Sequence, residues 1–368
     1  MNNESFYSQP ILPSVKLLVA NLAPSPPLKE CCQSMAAKEF ANLCTKHEVH
    51  ECNRTLTWFR YVCTKNLPTM FSIKMLNNTD IYFVKAPGKL LCEMEVKQCM
   101  CCGASLKIII ISSALLDLIY QFNMTTLSLA SVKNGKVFIR PPDNREIIEI
   151  TKVFNSHIAG HSGHAFRASA TKRKPTNINL KNLNDIIELS LIYLILHEFG
   201  HTINLFAPRI EINLETHNSL HSLTEPQKRK WRREISADIE GAFMLLELFS
   251  EYACMTHGFK IGVAIYAAKM AFGAALGALE SLHVLDVISP SGKLKSYDDL
   301  SWESISTKHK WRSHPPFLIR SDYLQFAAEK HSEWSFRGED ILDYHAAMHM
   351  ARKALFDAYL ERLKENER

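Results

Sequence analysis

His197-Glu198-Phe199-Gly200-His201 sets two imidazoles and a carboxylate at a helical spacing. Residues four apart on a helix lie one turn above each other, so both rings point the same way and can grip one metal ion, with Glu198 projecting beside it. Two nitrogen ligands and a carboxylate able to take a proton from activated water are what zinc-assisted hydrolysis requires. The bland alternative is a pair of core histidines beside a buried, paired glutamate.

The surroundings of the motif favour the chemical reading. Leu189 to Leu196 carry no charge, nor do Phe199, Gly200 and Thr202, as a buried active-site helix requires and a solvated helix seldom shows. A third ligand from the same helix would be a histidine six residues past His201, after a glycine turn, but those positions hold Ala207 and Asn204. The other arrangement takes a glutamate from a following helix, with an aspartate four residues on that steadies one metal-bound imidazole. Glu234-Ile235-Ser236-Ala237-Asp238 supplies both on one face, and the apolar stretch Ile239 to Phe249 should bury that helix. Glu234 reads alternatively as a solvated acid near a helix start, and Glu240 is a spare ligand. His217 and His221 also stand at helical spacing, but Asn218, Ser219 and Pro226 around them predict a solvated loop.

Taken in order, His-Glu-Phe-Gly-His, Glu234-x-x-Ala237-Asp238, then Ser313-His314-Pro315-Pro316 with Arg320, the motifs resemble those of gluzincin zinc peptidases. The likeness is to the HtpX-like group and to phage-exclusion proteases of the Lit type, over roughly residues 105–325. The resemblance implies a zincin-like metallopeptidase domain in a mostly helical α+β fold, with an active-site helix carrying the two histidines and a small mixed sheet. It implies His197, His201 and Glu234 as ligands of one Zn2+, Glu198 as general base and Asp238 as the anchor behind the metal. His314 and Arg320 become candidates for organising the site or steadying an oxyanion, although a His-Pro-Pro turn with a fixed backbone accounts for His314 equally well. Such an enzyme would cleave an intracellular protein or peptide, with phage defence as one role. The rival readings are a zinc-binding regulatory protein without turnover and a membrane-associated quality-control protease. Clear paired membrane spans, found in the HtpX-like pattern, are missing from the sequence.

Several elements must position these groups. Lys107-Ile108-Ile109-Ile110-Ile111 is the best strand, with a helix expected from Ala114 onward. It is the candidate edge against which a substrate would lie as an added strand, though a buried central strand reads the same way. Val137 to Arg140, behind the turn Lys133-Asn134-Gly135-Lys136, predicts a hairpin. Ile261 to Leu279 is small and apolar but interrupted by Lys269, which favours a core helix over a membrane span. The tail from Asp340 to Arg368 has the apolar spacing of an amphipathic helix, with His345 and His349 on one face. His157, His161 and His164, among two glycines, read as a flexible loop.

The expected organisation is an N-terminal Cys-containing segment over 1–75, a peptidase domain over 76–330 and a helical extension over 331–368 packed on it. Residues 23–28, Ala-Pro-Ser-Pro-Pro-Leu, form an arm or linker in the first of these. With 46% hydrophobic and 22% charged residues, 368 residues can build one large core or two modest ones, which excludes disordered and fibrous classes. A net charge of +5 is too mild to imply a nucleic-acid partner, and no membrane partner is expected. The basic runs Lys172-Arg173-Lys174 and Lys228 to Arg233 read as solvated charge. Nine of ten cysteines fall in the first 102 residues without a secretory leader, which predicts free thiols in a reducing cytoplasm. A zinc knot from Cys92, Cys99, Cys101 and Cys102 is the alternative, disfavoured for want of two separated Cys-x-x-Cys pairs.

Overall fold

The chain is described from a computed structural model over residues 30–46, 51–53, 79–85, 92–112, 115, 119, 122–123, 125–126, 128–133, 136–158, 180–203, 212, 223–258, 260–288, 315, 317–335 and 343–366. His161, His164, His217, His221, His314, Lys172 to Lys174 and residues 23–28 lie outside the described residues.

Helix α1 (Glu30–Lys46) precedes strands β1 (Glu51–Asn53), β2 (Thr79–Lys85), β3 (Cys92–Gln98) and β4 (Ser105–Ser112). These four strands form one mixed sheet in the order β1-β2-β4-β3. Strand β4 pairs parallel with β2 and antiparallel with β3, in a register that sets Cys92 opposite Ile111 and Gln98 opposite Ser105. A run of four isoleucines suits a strand buried on both faces, because branched side chains pack well on a pleated surface. Leu106, Ile108 and Ile110 pack with Cys32, Ala36 and Leu43 of α1, while Ile109 joins the main helical core. Lys107 to Ile111 is therefore a central strand and not the edge expected, and β1 and β3 are the edges of this sheet. Helix α1 packs on this sheet and β1 belongs to it, so these described parts of the segment before residue 75 join strands beyond it.

Beyond β4, Leu115, Ile119 and Phe122 are helical, as expected. A hairpin of β5 (Ala130–Lys133) and β6 (Lys136–Ile139) comes next, with Lys133 paired to Lys136 across a two-residue connection. Helix α2 (Asn144–Ile158) contains His157, which corrects the loop expected there. Five further helices complete the order: α3 (Leu180–Ile203), α4 (Glu225–His257), α5 (Ile261–Ile288), α6 (Phe317–Ser335) and α7 (Asp343–Asn366).

The main core lies between α3, α4, α5 and α6. Helix α5 is long and apolar enough to cross a membrane, yet 72% of that window is buried within the protein against its neighbours. Small residues all round it let the other helices approach closely, which is the packing of a core helix. A second cluster joins α2 to α7, where Phe154 meets Tyr359 edge-on at 4.8 Å between ring centres. The C-terminal helix thus packs on the body as its spacing predicts. His349 on α7 pairs with Glu280 of α5 at 2.8 Å, and Arg352 ion-pairs with the same carboxylate.

Candidate metal centre

Both imidazoles come from α3 and the carboxylates from α4, so the crossing of these helices assembles the site. A glycine on each helix permits it. A Cβ on Gly200 would lie 2.5 Å from the Ala237 carbonyl oxygen, and one on Gly241 would lie 2.8 Å from the His197 backbone nitrogen. Only bare backbones fit at such separations. Helix α4 starts where Thr224 donates its backbone N–H to the Gln227 side chain at 3.0 Å, with Pro226 in the first turn. Its basic run, Lys228 to Arg233, is helical, with Trp231 turned into the core. Glu234 and Asp238 stand one and two turns beyond Lys230 on the face turned to α3.

His197 and His201 lie with ring centres 4.8 Å apart at 79°. His197 Nε2 is 3.6 Å from Glu234 Oε2, and His201 Nε2 is 3.6 Å from Glu234 Oε1. Donor atoms on one tetrahedral zinc, each about 2.1 Å from it, lie about 3.4 Å apart. The three residues form one group of potential ligand atoms, all within 4.8 Å of one another. Glu240, the spare candidate, is buried on α4 outside that group.

Behind the group, Asp238 is fully buried and accepts from His197 Nδ1 at 2.8 Å. That bond fixes the tautomer, keeping the proton on Nδ1 and leaving Nε2 as the ligand atom. Tyr193 Oη donates to Asp238 Oδ1 at 2.8 Å, and Arg320 on α6 donates through Nε to Oδ2 and through Nη2 to Oδ1, both at 2.7 Å. Arg320 thereby holds Asp238 from the back of the site, which is an organising contact. His314 lies outside the described residues. Tyr193 was concealed in the apolar run; its place one turn before His197 on the same face was the available signal.

The electrostatics derive from burial and these partners. Burial alone would push His197 down, but the charge and hydrogen bond of Asp238 outweigh it and raise the ring to about 9. Burial lowers His201 to about 4, helped by the charge of His197, so this ring is neutral at physiological pH. Its Nδ1 is buried without a hydrogen-bond partner among the described residues. Burial would raise Glu234, yet the hydrogen bond and charge of His197 bring it down to about 2. Asp238 is held below the usual carboxylate range against its burial, chiefly by Arg320 and His197. Glu198 goes the other way: burial raises it to about 7, with Glu234 adding to the rise.

A neutral imidazole, a carboxylate ionised at any physiological pH and a second imidazole oriented by an aspartate form a donor set suited to zinc. Glu198, tuned near neutrality beside it, suits proton transfer. Strand β3 runs alongside: Cys92 Sγ lies 3.7 Å from the Leu194 carbonyl oxygen, and the charge of Glu198 contributes to the raised thiol pKa at Cys92 after burial itself. No protein-family model, curated protein or solved structure matches the chain.

Proposed function

We propose that the chain is a zinc-dependent endopeptidase of gluzincin type, with a zincin-like domain, that hydrolyses an intracellular protein or peptide. The observation that carries this reading is the group His197, His201 and Glu234, anchored by Asp238 and accompanied by Glu198. When bound there, zinc supplies Lewis acidity that acidifies water and polarises a carbonyl. Glu198 takes the proton from the attacking water onto its carboxylate and passes it to the departing amine nitrogen as the C–N bond breaks. Asp238 holds His197 in the ligating tautomer, and Tyr193 and Arg320 hold Asp238. The substrate backbone lies along β3, the edge strand of the sheet nearest Glu198, and extends it by one strand.

Glu198→Gln tests the reading. Purified variant protein should keep its zinc, while proteome comparison of cells carrying the native and variant forms should reveal cleavage products only with the native one. Identical proteomes from cells in which both forms are folded and metal-loaded would overturn it. A role in phage exclusion comes from the resemblance alone, and predicts plaque reduction by the native chain and none by Glu198→Gln.

A further inference from the structure

A second set of potential ligands lies on the far face of the sheet from the histidines. Cys31 and Cys32 stand in the first turn of α1, and Cys99 and Cys102 stand in the loop that joins β3 to β4. The four sulfurs all lie within 4.8 Å of one another, and Cys32 Sγ is 3.6 Å from Cys102 Sγ. Sulfurs on one tetrahedral zinc, each about 2.3 Å from it, are about 3.8 Å apart, whereas a disulfide needs about 2.05 Å. All four are free thiols.

The loop is built for ligation. Cys99-Met100-Cys101-Cys102-Gly103 contains one Cys-x-x-Cys pair closed by a glycine at φ +66°, a conformation that side chains other than glycine rarely adopt. Gly103 N–H donates to the Cys99 carbonyl and Cys99 N–H to the Ala104 carbonyl, each at 2.8 Å, so the turn is tight and its two thiols share one side. The amides of Cys101 and Cys102 donate to Cys99 sulfur, which stabilises a thiolate there. The other two ligands come from a helix start; without a cation, burial raises Cys32 to about 12 and the Cys102 thiol raises Cys31, so proton release there awaits a metal. Cys92 and Cys101, named in the knot that the sequence disfavours, are elsewhere: Cys92 faces α3, and Cys101 is exposed outside the group.

We propose that Cys31, Cys32, Cys99 and Cys102 form a structural tetrathiolate site for one zinc ion, which fastens α1 to the β3–β4 hairpin. On binding, each thiol releases its proton to solvent and becomes a thiolate ligand, so no oxidant is needed. Among the described residues, Cys32, Ala36 and Leu43, with Cys31 and Met35 beside them, meet Leu106, Ile108 and Ile110 of β4, and Lys46 and Glu39 pair with Glu93 and Lys97 of β3. A metal cross-link would fasten the start of the helix to the same sheet.

The test uses the full chain purified under reducing conditions. Elemental analysis should find two zinc ions per chain in the native protein and one in the double variant His197→Ala, His201→Ala, so the thiolate site is read apart from the proposed peptidase site. Cobalt loading of that double variant should give the intense near-ultraviolet sulfur-to-cobalt absorption of a tetrathiolate centre, and Cys99→Ser with Cys102→Ser should abolish it. If the serine form fails to fold, alkylation of the native protein decides. Cys101 and Cys102 are neighbours and both exposed, so burial alone would label them equally. A metal site predicts Cys102 protected until a chelator is added and Cys101 labelled from the start. Equal labelling of the two, a Cys32–Cys102 disulfide by non-reducing mass analysis, or a cobalt form without thiolate absorption would overturn the proposal.

Discussion

Gly200→Ala tests whether the α3–α4 crossing sets the metal site. The added Cβ would stand 2.5 Å from the Ala237 carbonyl oxygen and 2.8 Å from its Cα, and ordinary contact begins at 3.4 Å, so α4 must retreat by about 0.9 Å. Alanine gains about 1 kcal/mol over glycine in helix propensity. Overpacking costs about 1–3 kcal/mol, and an obstacle made of backbone puts the cost at the upper end. The net loss expected is about 1–2 kcal/mol, or about 1–3 °C in melting temperature for a chain of this size. Metal affinity should suffer more than stability, because ligand positions tolerate only about 0.2 Å and Glu234 sits one turn from Ala237 on the strip that moves. Competition against a chromophoric chelator should give at least about a tenfold loss of zinc affinity at the histidine site. Thermal melts and the competition would be read on the same samples. A raised melting temperature with zinc affinity intact would refute the reasoning. Gly241→Ala, whose Cβ would meet His197 nitrogen at 2.8 Å and its Cα at 3.0 Å, should reproduce both losses.

Asp238→Asn leaves the Arg320 guanidinium buried beside a neutral amide, so urea unfolding should register a loss of about 3–5 kcal/mol, and zinc affinity should drop about 10–100-fold as His197 loses its anchor. Tyr193→Phe removes one of the donors to the same carboxylate and should cost about 1 kcal/mol while zinc is retained; a loss as large as that of Asp238→Asn would show that the hydroxyl does more than donate one bond. On α7, the hydrogen bond to Glu280 raises the pKa of His349 above its ordinary 6.5 despite partial burial. A pKa raised on folding contributes stability that is fully present below about 6.5 and is lost as pH climbs through the folded value. Melting temperatures should therefore fall on that upward passage and the fall should shrink in His349→Gln. The ring is 41% exposed, so screening keeps the effect under about 1 kcal/mol.

The parts of this architecture that were legible are those written at short range. Two histidines four apart, a glutamate and an aspartate four apart, and an uncharged run before the first pair define two helix faces without any knowledge of where the helices go. Lys107 to Ile111 announced a strand, but its apolar content could not say whether an edge or the centre was meant, because burial on both faces is set by α1 and the helical core together. Strand β3 carries the complementary signal in Cys92-Glu93-Met94-Glu95-Val96-Lys97-Gln98, an alternation of charged and uncharged residues suited to a half-covered edge. Tyr193 shares a helix face with His197, but that it meets Asp238, and that Arg320 joins them, depends on the crossing of three helices. The sulfur group is the extreme case: its two halves lie some 67 residues apart, joined only by the pairing of α1 with the sheet, as the Cys32-to-Cys99 separation shows.

Asp238 explains why so much of the site must be buried. Its Oδ1 accepts from Tyr193, His197 and Arg320, and its Oδ2 from Arg320 again. Four contacts from two other helices on a fully buried carboxylate fix its position, and His197 inherits that rigidity. Arg320 also cancels the charge of Asp238 locally. Orientation is thus obtained without placing a second full negative charge against the cation, and Glu234 alone, held near 2, brings a carboxylate to the ligand group. On the proposed reading, a divalent ion bound there would keep about one unit of positive charge for polarising a substrate oxygen, where two unopposed carboxylates would neutralise it. Arg320→Met should for this reason bind zinc more tightly in chelator competition, with one more uncompensated negative charge beside the ligands, and, on the proposed peptidase reading, cleave more slowly once loaded; looser zinc binding would overturn the argument.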